Sequence, residues 1–182
     1  EGPRAWDLVL GAEELDAVLD IDNSRNFDYR LDNSTYIGAV SDDEANSSAH
    51  RSYLIALDES EYLCIEIVLC QFESASAAQQ VIAYDRVVHF DPSFETSAGQ
   101  GNPFLSEEID IAPIGHQSFC YQWSSFTPTI EFRVSNVQAT VQTRIIIPSI
   151  NRSYGTSETF EIALEVAEQQ ANRIQSVPVS YT

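Results

Sequence analysis

Lysine and methionine are both missing from this 182-residue chain. Its nine basic residues are all arginine, set against 28 acidic ones, for a formal charge of −19 and an isoelectric point of about 4.2. So anionic a surface repels phosphate backbones and lipid headgroups, which argues against nucleic acid and direct membrane-surface binding. It favours cationic partners. The missing methionine extends to position 1, where Glu1 stands. That predicts a chain processed by signal cleavage and placed outside the cytoplasm, in the periplasm or at the cell surface. Long apolar runs are also lacking: nothing approaches the roughly 20 residues that a membrane span requires.

Catalytic signatures are absent too. There is no G-x-S-x-G, no glycine-rich phosphate loop and no cysteine beside a histidine. The acidic runs Asp42-Asp43-Glu44 and Glu107-Glu108-Asp110 do not follow the calcium-loop pattern. His50, His89 and His116 are scattered rather than spaced for zinc. No enzyme activity, metal or cofactor is therefore expected.

What is present reads as one globular domain over 1–182. Hydrophobic residues make up 43% of it, with only seven glycines, which suits a chain with a real core. Residues 11–19 read as an amphipathic helix, and 36–40 as a short strand. The run SDDEANSSAH at 41–50 reads as a loop. Tyr53–Leu57 and Tyr62–Phe72 then form a hairpin around Asp58-Glu59-Ser60. A helix capped by Ser74 or Ser76 runs to about His89. Residues 91–110 form a long loop, and strands follow near 117–123, 129–135 and 137–147, with a turn at Ser135-Asn136. Pro148 ends the sheet. A last helix runs from about Ser157 to Gln175, capped by Thr156 or Ser157. The clean alternation predicts an α+β fold, with an antiparallel β-sheet covered on one main face by helices.

The segment YLCIEIVLCQF (62–72) places Leu63, Ile65, Ile67 and Leu69 on one face and Cys64, Glu66 and Cys70 on the other. Cys64 and Cys70 lie roughly 20 Å apart along one strand, too far to bridge each other. Cys120, in QSFCYQW, shares parity with Ser118 and Gln122, while Phe119, Tyr121 and Trp123 face the core. A disulfide from Cys120 to Cys64 or Cys70 is one reading, favoured by export. Three buried free thiols are the other. Arg133 and Arg144 alternate outward with Glu131 and Glu66, as in a cross-strand ion-pair lattice on an exposed sheet face.

Four segments carry a resemblance to a known group of domains: FESASAAQQ, IGHQSFCYQW, IEFRVSNVQATVQTRI and ETFEIALEVAEQQANRI. Together, over about residues 60–175, they resemble small extracytoplasmic bacterial lipoprotein and sensor domains. That group includes the PknH-type extracellular domain and the PsbP-like α/β/α sandwich. The Arg133-x-x-Asn136 turn and the closing Ala171-Asn172-Arg173-Ile174 carry most of the likeness. The resemblance implies a non-enzymatic domain that binds ligands or serves as an accessory, peripheral subunit of a membrane protein complex. Trp6, Phe90, Phe94 and Phe104 are the candidate anchors for a protein partner. The alternative is a small-ligand-binding or sensor domain with a pocket near the 91–110 loop.

Overall fold

The computed structural model describes residues 3–19, 45–57, 59–94, 102–122 and 128–177, and the backbone of 27–28. The expected strand at 36–40 and Trp123 lie outside the described residues. In chain order the elements are α1 (Ala5–Leu8), α2 (Ala12–Leu19), β1 (Phe27–Asp28), β2 (Ser47–Ala56), β3 (Tyr62–Gln71) and α3 (Ala75–Phe90). Then come β4 (Glu107–Ile109), β5 (Gln117–Gln122), β6 (Thr129–Val134), β7 (Val137–Ile147), β8 (Arg152–Tyr154) and α4 (Ser157–Ser176). The strands form one antiparallel sheet in the order β1-β2-β3-β7-β6-β5-β4, with β8 pairing the end of β7. The fold is α+β, as the alternation predicts.

Alternation divides the sheet into two faces. One carries Leu63, Ile65, Ile67 and Leu69 of β3, Ile130, Phe132 and Val134 of β6, and Val137, Ala139 and Val141 of β7. Against it pack Ala163, Val166, Ala167, Ala171 and Ile174 of α4, with Leu8 and Leu15 from the N-terminal helices. The cap of α4 is Thr156, whose Oγ1 accepts from the Thr159 N–H at 3.1 Å. Gln170, fully buried on α4, accepts from the Leu10 N–H at 2.9 Å and donates to the Leu8 carbonyl at 2.8 Å. Arg173 adds an ion pair to Glu14 of α2 at 2.9 Å.

The opposite face receives α3, which packs over β6 and β7 through Ala78, Val81, Ile82 and Val88. Helices therefore cover both faces, more extensively on the α4 side. Four further departures from the sequence reading have local causes. The stretch expected as a loop through His50 is already strand from Ser47, because its backbone pairs with Gln71–Glu66 whatever its side chains. Glu107–Ile109, expected within a loop, pairs with β5 as a short edge strand. Ala5–Leu8 is helical, a single turn too brief to show periodicity. Pro148 does not end the sheet: Asn151, left-handed at φ 48°, reverses the chain into β8.

Candidate functional site

The buried stripe of α3 is interrupted once. Asp85 sits among Val81, Ile82 and Val88 and is 7% exposed. Facing it from β6 is Glu131, 5% exposed. Gln138 of β7 ties the two together: its Nε2 donates to Asp85 Oδ2 at 2.7 Å and to Glu131 Oε2 at 3.1 Å. Tyr121 of β5 donates its hydroxyl to Glu131 Oε1 at 3.0 Å. Both carboxyls are held on the one Gln138 amide nitrogen. Four elements thus converge on one polar knot beneath a helix.

The donors are an amide and a phenol, with no cation among them. Burial is the main reason that Asp85 is pushed up to about 6 and Glu131 to about 8. The neighbouring Asp85 charge raises Glu131 further, while the bonds from Tyr121 and Gln138 pull it back. The two carboxyls titrate as a pair, each shifted toward its protonated form by burial without a cation.

The knot borders an aromatic wall. His89, one turn after Asp85, stacks on Tyr121 with ring centroids 3.7 Å apart. Burial lowers its pKa, and the contact with the Phe104 carbonyl opposes that. Phe119 stacks on Tyr121 at 5.8 Å, and Phe90 meets Phe119 edge-on at 5.7 Å. The Arg86 guanidinium lies 5.6 Å from the Phe90 ring and 6.0 Å from the Phe119 ring, and it pairs with Glu108 of β4. The chain between α3 and β4 is laced to the helix end. Asn102 Nδ2 donates to the carbonyls of Val88 at 2.7 Å and Asp91 at 2.9 Å, and the Ser106 N–H donates to the His89 carbonyl at 2.8 Å.

On this flank of α3 a cleft of about 510 Å³ opens. Its lining includes Arg86, Glu108, Ile109, Asp110 and Phe119. Arg86 is matched by Glu108, and Asp110 has no ion pair among the described residues. The lining therefore carries one uncompensated negative charge beside an aromatic wall.

The residues singled out from sequence are distributed differently. Phe90 lines the aromatic wall. Phe94 meets the exposed Tyr84 edge-on at 6.1 Å, and Phe104 is half-buried in the laced segment. Trp6 lies across the sheet on the α4 side, under the Arg51 guanidinium at 5.9 Å. The four aromatics therefore do not form one surface.

The disulfide reading is corrected: Cys64, Cys70 and Cys120 form no disulfide. Cys120 sits fully buried in the α4-side core, whereas Cys64 and Cys70 face the other way, and β7 and β6 intervene between their strands. Three strand spacings amount to roughly 14 Å, beyond disulfide reach. Parity was read correctly but the faces were not: Phe119 and Tyr121 point to α3, and Cys120 to the main core. Burial pushes the Cys64 thiol up to about 11 and Cys120 up to about 12.

The ion-pair lattice exists in half. Arg144 meets Glu66 at 3.0 Å, but Glu131 has turned under α3, and Arg133 donates instead to the Ser135 carbonyl at 2.8 Å. Glu131 looked solvent-facing because its strand position was polar. The signal that could have found the knot is Asp85 itself, an acid placed at the centre of an apolar helical stripe.

No protein-family model matches the chain, and no curated protein is similar to it. Among solved structures, the extracellular domain of PknH from Mycobacterium tuberculosis aligns over 94% of this chain and 98% of its own, with 11% identity and a TM-score of 0.44. Among the described residues, no helix is long and apolar enough to cross a membrane.

Proposed function

We propose that this chain is a non-enzymatic binding domain working outside the cytoplasm as an accessory part of a protein assembly. In this reading it takes a cationic side chain of its partner into the cleft between α3 and β4–β5. The observation that carries it is the charge of that cleft: Arg86 is already matched by Glu108, leaving Asp110 unmatched beside the ring of Phe119. An unmatched carboxylate lining a cleft suits a guanidinium or ammonium group, and a chain at −19 draws such groups to its surface. The non-enzymatic part is supported by the depth of the one strongly perturbed acid pair, which lies beneath α3 where a substrate would not meet it. The extracytoplasmic part rests on the resemblance carried by residues 60–175.

A second reading, a small-ligand or sensor domain, is favoured by the cleft volume of about 510 Å³, within the range common for small-molecule sites. One titration separates the two. A short peptide with a single arginine flanked by leucines, and arginine amide alone, are each added to isotopically labelled protein. The partner reading expects the peptide to shift the amide resonances of Ile109, Asp110 and Phe119, and Asp110→Asn to weaken this about fivefold or more. Equal affinity for arginine amide would favour the small-ligand reading. Shifts spread evenly over the acidic surface would sink both.

A further inference from the structure

We propose that the proton shared between Asp85 and Glu131 latches α3 to the sheet, and that its loss frees the helix and opens the cleft on its flank. The latch is built from geometry. Asp85 is the only acid on the buried side of α3, and it meets Glu131 of β6 across Gln138 of β7. Charged and titratable neighbours are turned elsewhere or uncharged. On α3, Arg86 is held by Glu108 of β4, and the half-buried His89, whose pKa burial lowers, stacks on Tyr121. On β6, Arg133 reaches to the Ser135 carbonyl. Tyr121 of β5 contributes a hydroxyl, and on β7 the nearest cation, Arg144, is paired with Glu66.

With one proton, a carboxyl and a carboxylate can bond each other directly and attract. With none, two like charges face each other in a poorly solvated site and repel. The helix yields before the sheet, because the apolar side chains holding α3 are few beside those under α4. Arg86 on α3 and Phe119 on β5 line the cleft from its two sides, so a displaced helix widens it.

Hydrogen exchange of the unliganded protein provides the test, so its outcome is independent of whether the cleft binds a cation. Protection factors, corrected for intrinsic exchange, are compared at about pH 5.5 and about pH 8.5, either side of the titration. We expect α3 amides to lose about tenfold or more in protection at the higher pH while α4 amides hold. We also expect Glu131→Gln and Asp85→Asn to flatten the α3 response. A parallel loss in α3 and α4, or an undiminished loss in both variants, would overturn the latch. Should either variant fail to fold, infrared spectra of the native protein decide. A protonated buried carboxyl band that fades between the same two pH values supports the proposal, and no such band rejects it.

Discussion

Single residues here are constrained by what lies immediately beside them. Gly115 has φ +64°, and a Cβ there would stand 2.6 Å from the Arg133 carbonyl oxygen and 2.9 Å from Val134 Cγ2. That backbone approach brings the His116 N–H onto the same carbonyl at 2.8 Å. Gly115→Ala is therefore expected to cost about 2 kcal/mol or more, read as a lowered urea midpoint with unchanged slope. An unaltered midpoint would mean that the strand edge moves freely. The cysteines give a second residue-scale expectation. Thiol counting under denaturing, non-reducing conditions should find three. In the native state Cys64 and Cys120 should react slowly, since a pKa of about 11 or about 12 leaves almost no thiolate at pH 7. A count of one would restore the disulfide.

At the scale of elements, strands and long helices were legible because their side chains repeat, while contacts between elements were not. The alternation in β3 and β7 and the apolar spacing of α4 can be read directly from sequence. The face that each strand turns to each helix cannot, since period two assigns parity and says nothing of which side receives which layer. That is why the position of Cys120 was legible and its surroundings were not. Gln170 shows the same limit. In sequence it is one of three glutamines on an acidic helix, yet its side chain bonds both the Leu8 carbonyl that ends α1 and the Leu10 N–H that follows it. Gln170→Leu keeps the volume and removes both partners, leaving the Leu10 N–H and the Leu8 carbonyl without them. The expected loss is about 3 kcal/mol, with α1 and α2 losing hydrogen-exchange protection ahead of the sheet. Uniform destabilisation would show that the N-terminal helices do not depend on these two bonds.

For the whole molecule, two electrostatic effects act on stability, and they can be separated. The −19 charge is spread over a solvated surface. Its self-repulsion disfavours the compact state and is screened by salt, the Debye length falling from about 10 Å at 0.1 M to about 3 Å at 1 M. The Asp85–Glu131 pair is buried, and salt ions do not reach it. Its sign follows from linkage. Both pKa values are raised in the folded state, to about 6 and about 8, so the folded chain binds more protons than the unfolded one wherever unfolded carboxyls are ionised. The stabilising protonated form is fully present below about pH 4, and stability falls as pH rises from there through about 8. Glu131→Gln removes the proton requirement. It is expected to be on the order of 2 kcal/mol more stable than the parent at about pH 8, with the gap closing toward about pH 4. Raising salt should lift the Tm of both proteins and leave the gap between them in place. If salt closes the gap instead, solvent reaches the pair, and the knot beneath α3 is an open surface contact rather than a buried one.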